Sequence, residues 1–156
     1  MRATFALVTL VLALGAFPGS SSARSWKGAV PGKTTRQQVI DKFGEANRSF
    51  SKGGELSDGL SYQGKQAIAG ATEADFFFDK NGILFRIDVF PARRLGKSDI
   101  LRVYGEKYAE RVTPRGHTYF DYADEGLVVF FHKDTGEVTT MTYTAPAQKT
   151  AREKAR

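Results

Sequence analysis

Cysteine is absent from all 156 residues, tryptophan occurs once and histidine twice. Without a thiol the chain has no disulfide staple, no cysteine nucleophile and no thiolate metal ligand, so packing alone must hold its core. The same lack removes the cysteine that a bacterial lipoprotein signal needs at its processing site. His117 and His132 show no ligand-like spacing, so neither metal nor cofactor is expected. Long apolar runs are scarce as well. After Ala3 to Phe17 the longest is Leu127 to Phe131, far short of a bilayer span. Nor is there a strong one-signed field. Of the formal charge of +6, Arg2 carries +1 and the last nine residues, with Lys149, Arg152, Lys154 and Arg156 against Glu153, carry +3. The body from Arg24 to Ala147 keeps about +2 with both signs mixed, which describes an ordinary solvated surface and not a nucleic-acid footprint.

What is present begins with Met1-Arg2, the apolar run to Phe17, Pro18-Gly19 and small residues through Ala23. This pattern reads as a secretory signal peptide (1–23) cut after Ala23, giving a periplasmic or secreted chain. The remaining 133 residues suffice for one compact domain or two small units sharing a core. The end, 148–156, reads as a basic disordered tail.

An internal repeat organises the body. Arg36-Gln37-Gln38-Val39-Ile40-Asp41-Lys42-Phe43-Gly44-Glu45 is echoed by Lys97-Ser98-Asp99-Ile100-Leu101-Arg102-Val103-Tyr104-Gly105-Glu106. Downstream, Phe76 to Leu84 is echoed by Val129 to Val138, each an apolar strand, a charged turn ending in glycine, and a second strand. Val39, Ile40 and Phe43 share one helical face, as do Ile100, Leu101 and Tyr104. Thr34 or Thr35, and Ser98, are candidate N-caps, and Gly44 and Gly105 suit the helix ends. Asp79 to Gly82 and Lys133 to Gly136 read as hairpin turns, with Ser57 to Gln63 and Thr118 to Asp124 as further strands. From Ile83 to Phe90, alternation sets Ile83, Phe85, Ile87 and Val89 on one face and Leu84, Arg86, Asp88 and Phe90 on the other. The loop from Gly64 to Thr72 has no equally long counterpart. The expected fold is therefore α+β: two tandem units, 24–92 and 93–147, each a short helix (or helix pair) packed on an antiparallel sheet of about three or four strands.

Gly32-Lys33-Thr34 invites reading as a phosphate loop, but that motif needs a glycine five residues earlier, where Lys27 stands. It is better read as a turn entering a capped helix. With early Trp26, the run Pro31-Gly32-Lys33-Thr34-Thr35, then Val39 and Phe43-Gly44-Glu45-Ala46, resembles the small-protein-A, or BamE-like, family of outer-membrane assembly components. Ala46 stands where that family has proline. The doubled unit also resembles the tandem repeats of β-lactamase inhibitor proteins. These resemblances imply helices layered on an antiparallel sheet and a role in binding other proteins of the cell envelope.

The search for catalysis finds little. Asp121, Asp124 and Glu125 near His117 can be drawn as a base-and-orienter set, but turn carboxylates beside a lone histidine are common on surfaces, and no enzyme is expected. Asp79-Lys80-Asn81-Gly82 lacks the further acids of a calcium loop. Aromatic content of the sheet is the unusual feature, with Tyr62, Phe77, Phe90, Tyr119, Phe130 and Tyr143 as candidate partner-binding residues lining one concave face. The expected function is an exported, non-enzymatic, monomeric protein-binding module, assembly-factor-like or inhibitor-like. The alternative is binding to anionic lipid or cell wall, led by the basic tail.

Overall fold

The computed structural model describes residues 23–51 and 58–146; the expected signal peptide (1–23), except its last residue, and the basic tail (148–156) lie outside the described residues. Helix α1 (Arg36–Phe43) opens on a reciprocal cap. The Thr35 hydroxyl accepts the Gln38 amide at 3.2 Å, and the Gln38 side chain accepts the Thr35 amide at 2.9 Å. Two amides that the helix leaves unpaired are thereby satisfied. Helix α2 (Lys97–Tyr104) differs from expectation: its N-cap is Gly96, not Ser98. The Asp99 carboxylate accepts the Gly96 amide at 3.0 Å, and that hydrogen bond holds the Asp99 carboxyl below its ordinary range.

Eight strands follow among the described residues: β1 (Arg48–Phe50), β2 (Asp58–Gln63), β3 (Ala71–Phe78), β4 (Leu84–Pro91), β5 (Ala109–Val112), β6 (Thr118–Tyr122), β7 (Leu127–Phe131) and β8 (Val138–Thr144). They form one antiparallel sheet in the order β1-β2-β3-β4-β8-β7-β6-β5. This corrects the expected pair of helix-on-sheet units. β4 pairs directly with β8, from Arg86 opposite Thr144 to Val89 opposite Met141. Left apart, those strands would each expose a row of unpaired backbone groups, and Ile87, Val89, Met141 and Tyr143 would lose their shared burial. Joining them gives a single sheet carrying two short helices.

Registers place Leu60, Phe76, Ile87, Tyr143, Leu127 and Tyr122 in one row across six strands, each at most 2% exposed. The helices cover this row. Phe43 lies 5.4 Å from Phe76 and 6.0 Å from Tyr62, ring centre to ring centre, and Trp26 packs 6.0 Å from Phe76. Tyr104 lies 5.9 Å from Tyr122. Burying each large apolar side chain contributes roughly 1.5–3 kcal/mol, against about 1 kcal/mol for a hydroxyl hydrogen bond. Apolar burial therefore dominates the stability of this layer.

Alternation in β4 breaks at a bulge. Phe77 stands opposite Arg86, but Phe78 stands opposite Leu84, so Phe85 is the extra residue. Leu84 enters the core, fully buried, and Phe85 turns to the other face, 6.5 Å from Phe77. The strict alternation expected from Ile83 onward is corrected at these two residues. Before the bulge the chain turns at Asp79, whose carboxylate accepts the amides of Asn81 and Ile83 at 2.8 and 2.9 Å. His132 organises the other hairpin similarly, its Nδ1 accepting the amides of Asp134 and Thr135. Gly32-Lys33-Thr34 is a turn clamped to the start of β4: the Gly32 amide donates to the Leu84 carbonyl at 2.6 Å, and the Leu84 amide to the Thr34 carbonyl at 2.8 Å. The stretch after β2 forms a 3₁₀ turn, Gly64–Gln66, and returns through buried Ile68.

Candidate functional site

The face of the sheet away from the helices is where alternation sends the remaining side chains. Six of them form a second row: Ser61, Asp75, Asp88, Thr142, Val128 and Asp121 stand opposite one another on successive strands. The six aromatic residues expected to line one surface divide between the two faces. Tyr62 and Tyr143 belong to the core and are corrected out of the surface. The Tyr62 hydroxyl donates to the Gly44 carbonyl at 2.8 Å, and the Tyr143 hydroxyl lies 3.1 Å from that of Tyr104. Burial pushes the Tyr143 hydroxyl far above the ordinary tyrosine range. The cause of the error is register. Parity along one strand is readable from sequence, but parity between strands depends on which residues pair.

Phe77, Phe90, Tyr119 and Phe130 do share the helix-free face. Phe77 is nonetheless buried there, beneath Phe50 at 5.4 Å and beside the Arg86 guanidinium at 5.4 Å. The Phe50 ring lies against the backbone of Gly59, where a Cβ would sit 2.3 Å from the ring carbons. Tyr119 and Phe130 pack together at 5.2 Å and remain partly exposed, as does Phe90.

Beside these aromatics lies a trough of about 560 Å³. Its floor is Arg86 and Asp88 of β4 with Thr142 of β8; Phe90 and Phe130 supply apolar wall. The turn between β5 and β6, from Thr113 through Arg115 to His117, closes the far side. Asp88 is held through both of its oxygens. Its Oδ1 accepts from Arg86 Nε at 2.8 Å and from the Thr142 hydroxyl at 2.7 Å, and its Oδ2 accepts from Arg86 Nη2 at 2.7 Å. Both Asp88 and Thr142 are 8% exposed, so the pair is fixed. Within the same row Asp75 has an Oδ1 that is buried without a hydrogen-bond partner. Burial pushes its carboxyl up, opposed by the Ser61 hydroxyl and Arg48 and reinforced by Glu73 and Asp88.

Sequence reasoning missed Arg86, Asp88, Thr142 and Arg115. The available signal was a pair of opposite charges two residues apart inside an otherwise apolar strand, which alternation places side by side on one face. The drawn set around His117 does not assemble in the trough. Asp121 pairs with Arg111 at 3.3 Å, Asp124 with Lys107 at 2.9 Å, and Glu125 with Arg24, and none of the three lines the trough. Among the described residues, no three His, Asp or Glu side chains converge to hold a metal, and no helix is long and apolar enough to cross a membrane.

The crystal structure of a DUF4309 family protein, YjgB from Bacillus subtilis, is similar to this chain. The TM-score is 0.56 at 15% identity, over 76% of this chain and 83% of that one. At that identity the likeness speaks to fold alone. No family model matches the chain, and no curated protein matches it.

Proposed function

We propose that the protein is an exported, non-enzymatic binding module of the bacterial cell envelope, which receives a segment of another protein in the trough on the helix-free face. The supporting observation is partly exposed Phe90 and Phe130 lining a recess of about 560 Å³, with Tyr119 packed on Phe130 beside it and a floor whose Arg86–Asp88 pair is already rigid. A rigid floor with aromatic walls suits a docked segment, because anchors that do not reorganise lose little entropy on binding. The signal-peptide reading and the resemblance to envelope assembly components and inhibitor repeats supply the compartment and the class of partner.

A photo-activatable phenylalanine analogue placed at Tyr119 tests this, with the same analogue at Gln37 on exposed α1 as control. Crosslinking in native envelope extract is expected from position 119 alone, at low and high salt, and should be lost when Phe130→Ala is added. Equal crosslinking from both positions would count against the trough. Capture that disappears at high salt or on removing residues 148–156 would transfer the function to the basic tail.

A further inference from the structure

We infer that the segment received by the trough is acidic, presenting a carboxylate side chain to Arg115 and Arg86 with an apolar neighbour against Phe90 and Phe130. This rests on the docking reading above and specifies its partner. Donors and acceptors in the trough are not balanced. Three of the acceptor sites of Asp88 are taken by Arg86 and Thr142, which leaves one on Oδ2 of a side chain that is nearly buried. Arg86 binds it side-on through Nε and Nη2, which leaves Nη1 available. Arg115, exposed on the turn, has no carboxylate partner among the described residues, so all five of its N–H groups are free. Of the hydroxyls at the rim, Thr139 donates to the Phe130 carbonyl at 3.2 Å, and Thr113 accepts the His117 amide at 3.0 Å. His117 adds one ring N–H and one acceptor nitrogen.

Free donors in the trough therefore outnumber free acceptors, chiefly through Arg115 and Arg86. Arg86 and Asp88 cancel, and Arg115 leaves one positive charge uncompensated. Other carboxylates of this face are placed elsewhere: Asp121 is held by Arg111, Glu73 by Arg48 at 3.8 Å, and Asp75 does not line the recess. A cationic segment would meet Arg115 with no acid to balance it. A carboxylate would meet a planar fork that binds it through two hydrogen bonds.

The test is a ¹⁵N heteronuclear NMR titration of the chain with two blocked peptides, acetyl-Gly-Phe-Glu-Asp-Phe-Gly-amide and its isostere acetyl-Gly-Phe-Gln-Asn-Phe-Gly-amide. The acidic peptide is expected to shift the amides of Phe90, Phe130, Thr140 and residues 115–117. The isostere should bind at least ten-fold more weakly. Arg115→Ala should weaken the acidic peptide at least ten-fold and the isostere much less, so that the two affinities converge; Arg115 lies on an exposed turn, so the variant keeps its fold. Equal affinities with shifts in the trough would overturn acidity and preserve docking. Shifts elsewhere, or none with either peptide, would overturn both. If phosphatidylglycerol vesicles shift these amides and the acidic peptide does not, the occupant is a lipid surface and the inference falls.

Discussion

Asp75 is the residue whose setting most nearly contradicts its chemistry. It stands between Ser61 and Asp88 in the row across the helix-free face, and one carboxylate oxygen is buried with no partner. Burial pushes its carboxyl up, so the folded state holds the proton more tightly than the unfolded chain does. Such a group contributes stability that is fully present below the unfolded value, about 3.9, and is lost as pH rises through the higher folded value. Asp75→Asn removes the charge and keeps the shape. It is expected to be more stable than the parent at pH 7 by about 1 kcal/mol, discounted for a side chain that is only half-buried, and to lose that advantage near pH 3. Thermal melts from pH 3 to pH 8 check this; curves that stay parallel would sink it. That Asp75 leaves the core face is legible from Ala74 and Phe76 on either side of it. That it meets Asp88 is not, because the partner is set by register, and the same gap misplaced Tyr62 and Tyr143.

Elements show how a short helix is fixed at both ends. α1 and α2 each stop at a glycine with positive φ, 82° at Gly44 and 77° at Gly105, with ψ near −172° at both. That backbone region is essentially closed to residues with a Cβ. In each case a core tyrosine seals the end: the Tyr62 hydroxyl donates to the Gly44 carbonyl at 2.8 Å, and the Tyr122 hydroxyl to the Gly105 carbonyl at 3.0 Å. A Cβ at either glycine would touch nothing within 4 Å, so substitution exposes the backbone cost alone. Gly105→Ala is expected to destabilise by about 1–3 kcal/mol. Tyr122→Phe should cost about 1 kcal/mol. Urea unfolding of both variants measures these, and a neutral Gly105→Ala would show that the end of α2 relaxes to an ordinary conformation. The two glycines were readable as helix stops because their offset from the apolar face repeats. The cap of α2 was not. Ser98 matches the residue type, but Asp99 accepts the Gly96 amide from inside the helix, and that exchange moves the boundary.

At the scale of the whole molecule, the deciding feature is the seam between β4 and β8. Ile87 opposite Tyr143 and Val89 opposite Met141 carry the core layer across it, and the Thr142 hydroxyl on Asp88 at 2.7 Å fastens the opposite face. The repeat was legible as two similar stretches, each a helix followed by strands. Nothing in either stretch announces that their last strands pair, since an edge strand and a seam strand carry the same alternation. The seam also predicts how the chain unfolds. Opening it would expose at least four large apolar side chains and leave Asp88 without Thr142, so neither flank should persist once the other melts. Trp26, the single tryptophan, packs on Phe43 and Phe76 and reports one flank; Tyr108, stacked 3.9 Å from Phe120, reports the other. Tryptophan fluorescence and the Tyr108 ring resonances followed by NMR are therefore expected to give one coincident urea transition. Thr142→Val, which removes the Asp88 hydrogen bond at nearly constant volume, should move both signals together to lower urea by about 1–2 kcal/mol. Two separated midpoints, or a shift confined to one signal, would mean that the flanks fold as independent units joined only by proximity.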